Sequence, residues 1–176
     1  MKGFTLIELL VVIFIIALLM TLTIGVGRYL TEQTRGKETH VRMAILELAI
    51  NAYYGATGEY PTEAPPPAEP NPWSPDPDAG QIVFFYAYEA IPRSAELRVL
   101  LLSVKQSAKV LQNLPGKCLG EMPFSDYSTL IPVFRDGFEG CLDYRRFGGF
   151  GRRPVTISGG SDYKTGTEDD IYSEER

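Results

Sequence analysis

The order of patterns along the chain predicts an α+β fold, with one long N-terminal helix laid on a small antiparallel β-sheet. Three observations carry that expectation. An apolar run from Phe4 to Val26 leads into a three-and-four residue periodicity that lasts to about Tyr54. A proline-dense stretch and a second helical pattern come next. Strand-like runs at 129–134, 141–147 and 153–158 then follow, separated by Asp136-Gly137 and by a Gly148-Gly149-Phe150-Gly151 turn.

The first helix begins in the apolar run. Sixteen of the 23 residues from Phe4 to Val26 are Phe, Leu, Ile or Val, and one carboxylate, Glu8, lies among them. On an insertion scale those residues contribute about −5 to −10 kcal/mol, against at most about +3 kcal/mol for Glu8 near one end, so insertion into a membrane is expected. At 1.5 Å per residue the segment can cross a hydrocarbon core of about 30 Å. A carboxylate inside such a segment is costly and reads as functional. Beyond a polar stretch at 28–40, Val41, Ala44, Ile45, Leu48, Ala49, Ala52 and Tyr53 form one apolar face, and Gly55 and Gly58 supply the stop. Gly25 and Gly27 are weak points in the ladder.

From Pro61 to Pro77, eight of 17 residues are proline, which predicts an extended surface spacer. A second amphipathic helix is expected from Ser94, as N-cap, to about Asn113. Leu97, Leu100, Leu101, Val104, Ala108 and Leu111 would lie on one side, with Pro115-Gly116 beyond the end. Cys118 and Cys141 stand 23 residues apart. In an oxidising compartment they either form one disulfide, worth about 3 kcal/mol by loop closure, or remain two free buried thiols. No CxxC or nearby histidine completes a metal site around them.

The tail from Gly159 to Arg176 holds Asp162, Glu168, Asp169, Asp170, Glu174 and Glu175 against only Lys164 and Arg176. Asp162, Asp169 and Asp170 flank a glycine-containing loop, the type of oxygen donor a hard cation such as Ca²⁺ takes, although the spacing is not that of an EF-hand. His40 is the sole histidine, so no Ser-His-Asp, Cys-His or His-metal cluster can be built and no enzymatic activity is expected. The formal charge of −5 argues against a nucleic-acid surface, no basic stripe with interleaved aromatics stands out, and no nucleic-acid partner is expected.

The string Gly3-Phe4-Thr5-Leu6-Ile7-Glu8 strongly resembles the class III signal of type IV pilins and type II secretion pseudopilins. The resemblance implies a pilin-like fold, cleavage after Gly3 by a prepilin peptidase, and N-methylation of Phe4. It also implies that Glu8 pairs with the terminal amine of a neighbouring subunit during filament assembly. Phe4 and Glu8 are four apart, hence on one helix face, and opposite charges in a low-dielectric medium attract strongly. Gly159-Gly160-Ser161-Asp162 followed by Gly166-Thr167-Glu168-Asp169-Asp170-Ile171-Tyr172 is similar to the C-terminal calcium loop of the major, G-type pseudopilin. That similarity implies Asp162, Asp169, Asp170 and the carbonyls of Gly159 and Thr167 as Ca²⁺ ligands. Tyr163, where relatives often have glycine, and the cation of Lys164 depart from the pattern.

The implied organisation is a leader at 1–3, a transmembrane segment at 4–27, the periplasmic half of the helix at 28–57, a Pro-rich loop at 58–92, a second helix at 93–116, and a sheet region with its acidic loop at 117–176. The implied function is that of a structural subunit of a periplasmic pseudopilus for type II secretion. It would be held in the inner membrane by one span, with other pseudopilins and an assembly platform as partners. The alternative is a minor pilin of a surface or DNA-uptake fibre. Loop charges do not assign the topology, since Lys2 stands alone on one side while Arg28, Arg35 and Lys37 follow the span; the periplasmic placement rests on the resemblance.

Overall fold

A computed structural model describes residues 6–64, 83–124 and 129–174. The chain divides into two compact units, Met1–Thr34 and Arg35–Arg176. Helix α1 runs Leu6–Thr57, α2 Val83–Ser103 and α3 Lys105–Leu111. Strands β1 (Leu119–Phe124) and β2 (Thr129–Phe134) form one antiparallel pair. Strands β3 (Asp143–Arg145), β4 (Val155–Ser158) and β5 (Ile171–Tyr172) form a second antiparallel sheet in the order β3-β4-β5. A single bridge between Arg135 and Cys141 joins β2's end to the segment leading into β3. The α+β expectation holds, with a helix packed on small antiparallel sheets.

The first unit is the apolar half of α1. From Leu6 to Met20 its large side chains are all exposed, from 82 % for Leu6 to 44 % for Val12. In the second unit the same helix buries Met43, Leu46, Ala49 and Ile50 against Leu97 and Leu101 of α2, with Leu111, Leu114, Cys118, Phe134, Leu142 and Tyr144 completing the core. The burial repeats at three and four residues because one helical face alone meets the core. The helix stops where Gly58 takes a left-handed φ of 81° and returns its N–H to the Tyr54 carbonyl at 2.8 Å. Gly55, expected to share that role, lies inside the helix.

The second helix departs from expectation at both ends. α2 begins at Val83, inside the segment assigned to the Pro-rich loop, and carries Pro92 within it. Ser94 is therefore not an N-cap. Buried, it accepts the Phe134 N–H at 3.0 Å, linking α2 to β2. The helical run then breaks at Val104, which is extended (φ −106°, ψ 124°) ahead of α3. Buried Ser107 bridges the break by donating to the Leu101 carbonyl at 2.5 Å. The proline-dense residues 65–77 lie outside the described residues.

Two strands had no sequence signal. β1 reads Leu-Gly-Glu-Met-Pro-Phe, poor in β-formers. It forms because the Arg135 side chain lies across Gly120, where a Cβ would come within 2.7 Å of its Cδ, and donates to the Glu121 carbonyl at 2.6 Å. β5 has only two residues and pairs Ile171 with Ser158 and Tyr172 with Ile157.

Candidate functional site

At the N-terminus, Glu8 lies in the first turn of α1 with its side chain exposed among exposed apolar neighbours. Gly3 and Phe4 lie outside the described residues. Among the described residues no helix is long and apolar enough to cross a membrane. The unbroken run of described side chains ends at Thr21, short of the roughly 20 residues a span needs, while residues 22–25 lie outside the described side chains.

The acidic loop at the other terminus grows from a buried polar frame. The Asp136 carboxylate accepts the N–H groups of Phe138 at 2.9 Å and Gly140 at 2.7 Å, and the Ser158 hydroxyl at 2.5 Å. Burial pushes its pKa up, against those three donors and Arg42. Arg42 of α1 donates to the carbonyls of Arg135 and Asp136, and Thr39 accepts the Gly137 N–H at 2.9 Å. Gly137 is obligatory here, because a Cβ would strike the Arg35 carbonyl. The frame therefore ties α1 to the end of β4, from which the loop departs.

Within the loop the predicted residues come together. Asp169 Oδ2 accepts the Ser161 N–H at 2.8 Å, its hydroxyl at 3.0 Å and the Asp162 N–H at 3.2 Å. Asp162 accepts the Lys164 N–H at 2.8 Å, and Asp170 accepts the Gly166 N–H at 2.6 Å and the Tyr172 hydroxyl at 3.1 Å. The Thr167 hydroxyl lies 2.8 Å from Asp169, 3.4 Å from Asp170 and 3.5 Å from Asp162. One hydroxyl has one proton, so three carboxylates converge where a single hydrogen bond can be donated. Desolvation alone would raise the Asp169 pKa, but the donors from Thr167, Ser161 and Asp162 outweigh it and hold the carboxyl below its ordinary range. Gly159 is buried beneath, where a Cβ would meet the Lys164 nitrogen at 2.7 Å. Tyr163 takes a left-handed φ of 60°, a conformation that favours glycine, and its hydroxyl donates to the Phe138 carbonyl at 3.0 Å. Oxygen donors of this kind suit a hard cation. Their arrangement is that of a loop closed by its own hydrogen bonds, and among the described residues no group of three His, Cys, Asp or Glu side chains is disposed to hold a metal ion.

Both cysteines are free thiols. Arg135 stands between them, bonded to the Cys118 carbonyl through its N–H at 2.7 Å on one side and bridged to Cys141 on the other. Two strand spacings of about 4.8 Å separate the cysteines, beyond the roughly 7 Å that a disulfide tolerates between Cα atoms. Desolvation pushes the Cys118 thiol up to about 11 and the Cys141 thiol up to about 12, so neither is a ready nucleophile.

The segment read as the end of one strand, a glycine turn and the start of the next carries more chemistry than its glycines. Arg145-Arg146-Phe147-Gly148-Gly149-Phe150-Gly151-Arg152-Arg153 is a basic stripe with interleaved aromatics, contrary to the expectation that none exists. It forms the tip of the β3–β4 hairpin. Counting charge and rings over this nine-residue window would have found it.

Comparison with known families bears on the N-terminus. Residues 1–24 match the prokaryotic N-terminal methylation motif. This chain carries that motif. The methylation motif supports a type IV pilin-like family and a structural subunit, and it implies processing by prepilin peptidase and assembly into pilus-like filaments. It is typical of membrane-anchored pilin-like proteins. No curated protein and no solved structure matches the chain.

Proposed function

We propose that the chain is a pseudopilin, a subunit anchored in the inner membrane by residues 4–27 that assembles into a periplasmic pseudopilus for type II secretion. The observation that carries this reading is the methylation motif at 1–24, with Glu8 set in the first turn of a helix whose large apolar side chains from Leu6 to Met20 are all exposed. A charged carboxylate in such a segment is costly, and a neighbouring subunit's terminal amine would offset that cost. Mass spectrometry of membrane-extracted protein tests the reading. The expected mature terminus is methylated Phe4; an intact Met1, or a cut beyond Val26, overturns it.

The acidic loop is the second component of the proposal, as a Ca²⁺ site using Asp162, Asp169, Asp170 and the carbonyls of Gly159 and Thr167. The convergence of three carboxylates on the Thr167 hydroxyl supports it, because a cation would relieve their mutual repulsion; holding the ion requires the carboxylates to turn from the backbone N–H groups they accept in the closed loop. Binding to the folded chain alone would raise its stability by about 2.7 kcal/mol at a hundredfold excess over Kd. Melting curves in EGTA and in millimolar Ca²⁺ are expected to separate, and Asp169→Ala with Asp170→Ala to merge them. Coincident curves for the parent chain would remove Ca²⁺ and, with it, the argument for a G-type subunit over a minor pilin.

A further inference from the structure

The tip of the β3–β4 hairpin concentrates four arginines and two phenylalanines within residues 145–153 of a chain whose net charge is −5. Phe150 is 94 % exposed and Phe147 61 % exposed, so neither ring belongs to the core. The tip is nonetheless built. Glu174 accepts the Phe150 N–H at 2.9 Å, and Gly149 donates to the Arg153 carbonyl at 2.9 Å. Gly148 and Gly149 let the hairpin close, since a Cβ at Gly148 would meet Val155 at 2.8 Å and one at Gly149 would meet Glu174 at 2.7 Å. Beyond them Gly151 (φ 68°) and Arg152 (φ 61°) are both left-handed. That backbone is strained for an arginine, and strain of this kind concentrates at ligand contacts.

The arginines divide by role. Arg145 is held by Asp143 at 3.1 Å, and Arg146 lies 3.6 Å from Glu59 with its guanidinium 5.1 Å from the Phe147 ring centroid. Arg152 and Arg153 are exposed and form no ion pair among the described residues. Two unpaired guanidinium forks beside an aromatic ring open on both faces match a strand of phosphates with unstacked bases. We propose that this tip binds single-stranded nucleic acid, with Phe150 stacking a base and Arg152 and Arg153 contacting phosphates.

Two other occupants fit less well. A membrane would have to take up Phe147 together with the guanidinium lying over its ring. The acidic loop of a second copy gathers its carboxylates around one hydroxyl, that of Thr167, rather than spacing them along an extended strand.

The test is fluorescence anisotropy of a labelled dT20 oligonucleotide with the full chain in non-ionic detergent, up to about 100 μM protein and from 50 to 200 mM salt. The expected Kd lies in the range of about 10⁻⁴ to 10⁻⁶ M, and log K should fall with log salt at a slope of about −1.4 to −2.8. Phe150→Ala should weaken binding about 5- to 160-fold with the slope unchanged, and Phe150→Trp should restore it. Arg152→Gln with Arg153→Gln should reduce the slope by about 1.4. No binding at 50 mM salt, or equal binding by Phe150→Ala, overturns the proposal. So does flotation with phosphatidylglycerol vesicles that depends on Phe150 while dT20 is ignored. None of these outcomes depends on whether the chain is cut at Gly3 or forms a filament.

Discussion

Two stretches of one helix meet opposite fates. Between Leu6 and Met20 α1 leaves every large apolar side chain exposed, whereas between Met43 and Ile50 it buries four residues almost completely. Both stretches are apolar, and both are helical. What differs is the partner: the second has α2 and the sheets of its own chain, and the first has none within its unit. Apolar area exposed on this scale marks an interaction surface. The comparison teaches that one part of α1 stabilises the fold, while the other presents an apolar surface for interactions outside its unit.

The largest expected effect tests whether the second unit's stability is self-contained. Arg93 grips Asp143 with two bonds, of 2.6 and 3.0 Å, and both residues are buried. Arg93→Leu leaves the buried Asp143 carboxylate with only its contact to the half-exposed Arg145 at 3.1 Å and should cost up to about 3–5 kcal/mol in a urea melt followed by near-ultraviolet circular dichroism, and adding Asp143→Leu should recover part of it. An unchanged midpoint for Arg93→Leu would mean that this pair does not hold α2 on β3.

The next effect sets identical substitutions against each other on the two stretches of α1. Leu46→Ala opens a cavity in the core and should lower the same stability by about 2–5 kcal/mol, while Leu10→Ala should change it by less than about 0.5 kcal/mol. In membranes the order should reverse for assembly. Glu8→Val should leave insertion intact and abolish cross-linked oligomers, while Leu46→Ala protein that still folds should retain them. Equal costs for the two leucines would erase the division of roles.

The smallest effect compares two aspartates of the acidic-loop system by pH. Asp136, raised by burial, contributes stability that is present at low pH and lost as pH rises through its folded value. Asp169, lowered by its donors, contributes stability that is present above the ordinary carboxylate range and lost as pH falls through its folded value. Relative to its Asn variant, the parent melting temperature should therefore rise toward acid at position 136 and fall toward acid at position 169. Slopes of the same sign would contradict the opposite environments described for them.

The sequence by itself determined what depends on near neighbours and on periodicity. The apolar run with Glu8, the continuation of α1, its stop at Gly58 and the pairing strand Thr129–Phe134 were legible because each is written within a few turns or a few residues. The clustering of Asp162, Asp169 and Asp170 was legible for the same reason. Only the tertiary structure decided what depends on distant partners. Gly120 becomes strand because Arg135 crosses it, and Ser94 becomes a link to β2 because the helix started eleven residues earlier, at Val83. Cys118 and Cys141 are held apart because Arg135 occupies the rung between them. In each case the deciding contact joins residues that no local window brings together, and long-range packing energy overrides local propensity.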